Sequence, residues 1–236
     1  MNVVVLVMIL EGSICGGFSY VFAFTYIHQA GVQMMDSGMM GSNINVTRNM
    51  MKTQGQLVSV QDAIRMMHDI PVYAKINSHN NTITFDAKDV KIVALAMMSD
   101  KAINLTRTQP PSYSKGDVFV ISGLINPTLV VPKDASVQFI VVNLDDGMYH
   151  NLLISSVSPP YPYMATSSMG INSSYPQGSF HSNPSLTMTS LLPPVEHSSA
   201  HEYSYRLIFD QVGSLWYFCT NPSHAQEGMY GKIIVT

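Results

Sequence analysis

The chain has 236 residues, of which only 11% are charged, against about 25% in typical soluble proteins. Its formal net charge of -3 leaves no basic patch, which excludes a nucleic-acid-binding protein. The low charge has two explanations: a membrane segment joined to a Ser- and Asn-rich surface, or adaptation to strong acid, because most carboxylates are protonated below about pH 3.

The N-terminal segment is a long apolar stretch. Residues 3–27 contain a single charged residue, Glu11, and a helix of that length can cross about 30 Å of hydrocarbon. We therefore predict a transmembrane anchor over residues 1–30, with the remainder of the chain on the extracytoplasmic face of the cell membrane. A cleaved signal peptide is the alternative, although such peptides begin with basic residues and no Lys or Arg precedes Arg48.

The segment after the apolar stretch is rich in Met, Ser and Asn. We predict that residues 31–70 form a linker with a short helix at its end. The helix is expected over residues 59–70, because Ser59 and Asp62 form a start that resembles a capping box and Pro71 follows the end.

A β pattern runs from residue 72 to the C-terminus. Short segments rich in Val, Ile, Thr, Tyr and Phe are separated by Gly, Pro, Asn or Asp. This spacing is typical of an antiparallel sandwich or barrel, and it predicts an all-β domain over residues 71–236. A Ser- and Pro-rich insertion near residues 156–184, without Lys, Arg, Asp or Glu, interrupts it. The predicted strands cover residues 72–76, 82–85, 91–97, 117–122, 128–131, 136–143, 151–155, 185–191, 202–209, 213–219 and 232–236.

The C-terminal segment carries three metal-binding side chains at regular spacing. Cys219, His224 and Met229 are five residues apart. A thiolate and a thioether stabilise Cu(I), and a His₂Cys set with a weak axial Met is typical of a blue-copper electron-transfer site. The second imidazole must come from another segment, and His150, at the start of a predicted strand, is the candidate. His197 or His201 is a conceivable substitute.

These motifs resemble those of the cupredoxin (type 1 blue copper) family. The Cys-x4-His-x4-Met spacing is similar to that of rusticyanin and, still more, of the archaeal sulfocyanins, as are residues 122–132 and the pair His150-Asn151. The resemblance covers residues 72–236 and implies a cupredoxin-like Greek-key β-sandwich. It also implies one type 1 copper ion, Cu(I) or Cu(II), with His150, Cys219 and His224 in the trigonal plane and Met229 axial.

The function that the resemblance implies is single-electron transfer, without enzymatic activity or a small-molecule substrate. The implied partners are redox proteins such as a terminal oxidase, in an extracytoplasmic respiratory chain of an acidophilic archaeon. Multicopper enzymes usually have His beside the Cys, whereas Phe218 and Thr220 flank Cys219 here. A dinuclear copper centre needs a second nearby Cys. The Met-rich linker keeps a copper chaperone or storage function open.

Two further features each allow two interpretations. Asn151 either ties the two ligand loops together through hydrogen bonds or is an ordinary polar residue at a strand start. Residues 216–218, Trp-Tyr-Phe, either pack in the core or form an electron path.

Overall fold

Residues 52–166 and 190–236 are described by the computed structural model of the protein. They form twelve strands and two helices. The strands are β1 Lys52–Ser59, β2 Ala74–Asn77, β3 Thr82–Phe85, β4 Asp89–Met97, β5 Val118–Ile121, β6 Leu124–Ile125, β7 Thr128–Val131, β8 Ala135–Asn143, β9 Leu153–Ser155, β10 Ser199–Phe209, β11 Gly213–Phe218 and β12 Tyr230–Val235; the helices are α1 Val60–His68 and α2 Ser99–Thr106.

The strands form two six-stranded sheets. The strand order is β1-β10-β8-β4-β5-β6 in the first sheet and β2-β3-β7-β12-β11-β9 in the second. β4 pairs with β8, and β7 pairs with both β3 and β12, in parallel, whereas the sequence pattern predicted antiparallel pairing. The chain crosses from the second sheet to the first twice, from β3 to β4 and from β7 to β8. Because β3 and β7 are parallel neighbours, β4 and β8 are parallel as well.

An apolar core lies between the two sheets. Residues of β12 and of the first part of β8 alternate between buried and half-buried, as expected where one face of a sheet is packed. Phe119 of the first sheet meets Tyr217 of the second edge to face, with ring centroids 5.7 Å apart. The predicted β-sandwich is therefore confirmed for the described residues.

The two helices cover the outer face of the first sheet. Ala63 of α1 and Ala102 of α2 are fully buried in one apolar cluster with Leu95 and Met97 of β4. β4 consequently has apolar neighbours on both faces, and its C-terminal half is a continuous apolar run. α2 was not predicted, because no side chain caps its start and its C-cap, Arg107, is a non-glycine residue with positive φ.

The predicted linker is wrong for residues 52–59. These residues form β1, which pairs antiparallel with β10, so the sheet already includes residues that precede position 71. The segment is polar and contains Gly55, and it lies at the edge of its sheet, so it lacks the apolar alternation that marks a strand. The helix that follows is confirmed, since the side chain of Ser59 accepts a hydrogen bond from the backbone N–H of Asp62.

Several predictions fall outside the described residues. These are the anchor over residues 1–30, the linker up to residue 51, the later part of the insertion, and most of the strand over residues 185–191. No helix in residues 52–166 or 190–236 is long and apolar enough to cross a membrane.

Candidate metal centre

The C-terminal loop is closed by hydrogen bonds at its base. β11 ends at Phe218, which pairs with Tyr230 at the start of β12. Beyond that pair, the N–H of Cys219 donates to the carbonyl of Met229 at 3.2 Å, and the N–H of Met229 donates to the carbonyl of His224 at 2.9 Å. The three predicted donors of this segment therefore lie on one compact loop between adjacent strands.

His150 is held beside that loop by two sets of contacts. Its backbone forms an isolated bridge with Leu192, with N···O distances of 3.2 and 2.7 Å. The next residue, Asn151, accepts a hydrogen bond from the N–H of Thr220 at 2.8 Å and donates to the Thr220 hydroxyl at 2.8 Å. Because Thr220 follows Cys219, the interpretation of Asn151 as a tie between the two ligand loops is confirmed.

Three potential ligand atoms converge in a buried position. His150 Nδ1 lies 3.7 Å from Cys219 Sγ and 3.2 Å from His224 Nδ1. At bond lengths like those of zinc sites, about 2.0 Å to nitrogen and about 2.3 Å to sulfur, ligand atoms at trigonal angles are about 3.5 Å (N to N) and about 3.7 Å (N to S) apart. His150 and Cys219 are 0% exposed and His224 is 4% exposed, so the separations and the burial suit one metal ion.

The fourth predicted ligand, Met229, is also buried. Its side chain is 0% exposed and belongs to the core cluster that includes Cys219. The structure therefore brings the predicted His150, Cys219, His224 and Met229 to one end of the sandwich.

The protein groups around Cys219 favour its thiolate. Burial raises the pKa of Cys219, but hydrogen bonds from His150 and His224 outweigh it and lower the pKa to about 7. Burial lowers the pKa of His150, whereas the nearby Asp145 carboxylate and Cys219 sulfur raise it to about 9. A thiolate is the form that binds metal, so the lowered pKa favours the form of Cys219 that acts as a ligand.

Two carboxylates near His150 were not predicted from the sequence. Asp145 Oδ2 lies 3.6 Å and Asp117 Oδ2 lies 3.7 Å from His150 Nε2. Asp117 Oδ2 is also 3.7 Å from His224 Nδ1. Asp145 lies in the connection between β8 and His150, and Asp117 precedes β5, so no local motif connects them with the ligands.

The substitute ligands His197 and His201 are not at this site. Among residues 52–166 and 190–236, the groups of His, Cys, Asp and Glu that are close enough to hold one ion are His150–Cys219–His224 and Asp117–Asp145–His150. His197 lies in an exposed turn, and His201 is on β10 opposite Asn143.

The aromatic residues before Cys219 pack in the core. Tyr217 is fully buried between the sheets and its hydroxyl donates to the carbonyl of Pro127 at 2.7 Å. Phe218 stacks on Tyr161, at the start of the predicted insertion, with ring centroids 4.7 Å apart. The core-packing interpretation of these two residues is confirmed.

A buried thiolate, two imidazoles and a thioether at the end of a β-sandwich define the type 1 copper class of site. The donor set suits one copper ion, because thiolate and thioether ligands select copper over the hard cations and His150 Nδ1 lies close to both Cys219 Sγ and His224 Nδ1.

Comparison with known proteins agrees with this class. No family model matches the chain. Rusticyanin from Acidithiobacillus ferridurans is 28% identical over 155 residues, which cover 66% of this chain and 67% of that protein. Rusticyanin from Acidithiobacillus ferrooxidans is also 28% identical over 155 residues, 66% of this chain and 81% of that protein. A crystal structure of rusticyanin from Thiobacillus ferrooxidans has a TM-score of 0.56 and 22% identity, covering 79% of this chain and 100% of that one. The chain is related to the cupredoxin, or type 1 blue copper, family.

Proposed function

We propose that the protein carries single electrons through one type 1 copper ion held by His150, Cys219, His224 and Met229. The observation that supports this most directly is the convergence of the His150 and His224 Nδ1 atoms with Cys219 Sγ in a buried position. When bound, the copper supplies a one-electron couple between Cu(I) and Cu(II).

The protein residues keep the ligands in place and exclude water. The Asn151–Thr220 hydrogen bonds connect the two ligand segments, and the burial of all four side chains removes bulk solvent from the site. A ligand set that moves little between oxidation states suits electron transfer. Four protein donors leave no position for a substrate, so we propose a carrier and not an enzyme.

We further propose that the carrier acts on the extracytoplasmic face of a membrane, in a respiratory chain of an acidophilic archaeon, and passes electrons to a redox protein such as a terminal oxidase. The support is the sequence resemblance to archaeal sulfocyanins, the low charge content of 11% and the apolar residues 3–27.

The copper-loaded protein should show an intense visible absorption band from thiolate-to-copper charge transfer. One equivalent of reductant should bleach the band, and an oxidant should restore it, because a closed four-ligand site exchanges an electron without losing its ligands. Absorption spectroscopy during redox titration measures this. Colourless binding of Cu(I) through methionine side chains would instead favour a copper chaperone or storage protein.

The 236-residue chain should sediment with membranes, and deletion of residues 1–30 should release a folded, copper-binding domain. The reason is that residues 3–27 contain a single charged residue. A helix of these 25 residues is long enough to cross a membrane. Cell fractionation followed by copper loading of the truncated protein tests this. A native protein whose N-terminal sequence begins after residue 27 would show a cleaved signal peptide.

A further inference from the structure

The turn between β8 and His150 holds a buried carboxylate in a fixed orientation. Asp145 is 1% exposed. Its Oδ1 accepts hydrogen bonds from the N–H groups of Gly147 and Met148, each at 2.8 Å. Its own N–H donates to the side chain of Asn143 at 2.9 Å. These contacts fix the direction of the other carboxylate oxygen.

That other oxygen faces the imidazole of His150. Asp145 Oδ2 and His150 Nε2 are both buried without a hydrogen-bond partner, and they lie 3.6 Å apart. Buried polar atoms are almost always paired, because an unpaired one loses its interactions with water. A separation of 3.6 Å is slightly beyond a hydrogen bond, so a small rotation of the imidazole is enough to form one.

We propose that Asp145 is a positioning residue that accepts the Nε2–H of His150 and thereby fixes Nδ1 as the atom that faces the copper. This inference rests on the proposed function. A neutral imidazole has a proton on one nitrogen and a lone pair on the other, and the hydrogen bond of one nitrogen determines which of them is free for a metal. Carboxylate partners of this kind orient metal-bound histidines and increase their basicity.

Asp145 suits this role better than Asp117. Asp117 Oδ2 is equally far, 3.7 Å, from His150 Nε2 and His224 Nδ1, so it does not select one nitrogen. The side chain of Asp117 is 18% exposed, so water can solvate its carboxylate. Asp145 is 1% exposed, and its Oδ2 lies 3.6 Å from His150 Nε2 without a hydrogen-bond partner of its own. Asp145 is therefore the acceptor that selects Nε2.

The test is the pair of variants Asp145→Asn and Asp146→Asn. An Asn at 145 keeps Oδ1 for Gly147 and Met148 but replaces Oδ2 by an N–H donor, which cannot accept the Nε2–H of His150. The control, Asp146, is the adjacent acid; its side chain is 70% exposed and it pairs with Lys101 at 3.2 Å.

Two measurements on the copper-loaded proteins report the role of Asp145. A nearby negative charge stabilises Cu(II), so Asp145→Asn should increase the ratio of Cu(I) to Cu(II) at a fixed potential about tenfold, which is a rise of about 59 mV. Asp146→Asn should leave the ratio unchanged. In the reduced, diamagnetic wild type, NMR should detect a slowly exchanging Nε2–H on His150, and Asp145→Asn should accelerate its exchange at least about tenfold.

Failure of the positioning role can be distinguished from failure of the proposed function. Absence of the thiolate-to-copper band in the wild type would refute the proposed function itself. A wild type with that band, but with the potential of Asp145→Asn equal to that of Asp146→Asn, would overturn the positioning role. If Asp145→Asn does not fold, the wild-type NMR experiment alone decides, because rapid exchange of the His150 Nε2–H would exclude a buried carboxylate partner.

Discussion

Replacement of Cys219 by Ser should abolish the visible colour of the copper-loaded protein completely. An alcohol cannot supply the thiolate from which the charge-transfer transition arises, and it remains protonated where the Cys219 thiol, with its pKa lowered to about 7, ionises. The side chain is 0% exposed and Ser is of similar size, so the sandwich should remain folded. Absorption and circular dichroism spectra of wild type and variant, recorded with equal copper, measure both effects.

Histidine variants decide whether the colour depends on the proposed ligand set. His150→Ala should open an equatorial position, so its spectrum should change and respond to added imidazole. His201→Ala is the matched control on β10, and His197→Ala is the control in the exposed turn; both should keep the wild-type spectrum. A His150→Ala protein with an unaltered band, together with loss of the band in either control, would mean that His150 is not a copper ligand.

The parts of the fold that the sequence predicted are those with a local signal. The bounds of β3 and β7 agree with the predicted residues 82–85 and 128–131, because Asn and Asp flank the first of these short segments and Pro flanks the second on both sides. The metal-binding loop from Cys219 to Met229 could also be predicted from the sequence, since three ligand types at equal spacing lie within one connection between paired strands. Periodicity and spacing within about ten residues sufficed for both.

The features that escaped prediction depend on contacts between distant segments. β1 is a polar edge strand whose pairing with β10 joins residues about 145 positions apart, such as Leu57 and His201. Asp145 reaches His150 Nε2 only because the chain turns back at Gly147 and Met148. A turn motif predicts its own geometry, but it does not indicate which side chain of the folded molecule lies opposite it.

Gly228→Ala should be the most destabilising of the loop glycine substitutions. Gly228 precedes Met229 and has φ of +99°, a conformation that is strained for a residue with a side chain. An added Cβ would lie 2.6 Å from Ser114 Cα and closer still to the carbonyl oxygen of Tyr113. Both are backbone atoms, so no side-chain rotation relieves the overlap. A hydrogen bond also holds the loop at this point, because the carbonyl of Gly228 accepts from the Asn126 side chain at 2.9 Å.

The expected loss for Gly228→Ala is about 2–4 kcal/mol of unfolding free energy, from backbone strain and overpacking together. Alanine substitutions at two other glycines distinguish backbone strain from overpacking. Gly123 has φ of +80° with no atom within 4 Å of an added Cβ, so Gly123→Ala should show only the strain, about 1–2 kcal/mol. At Gly147 the nearest atom is 4.0 Å away, and Gly147→Ala should change stability little. Denaturant unfolding of the three variants measures the series. Equal losses for Gly228→Ala and Gly123→Ala would mean that the backbone at Tyr113 and Ser114 moves aside and that overpacking adds nothing to the strain at Gly228.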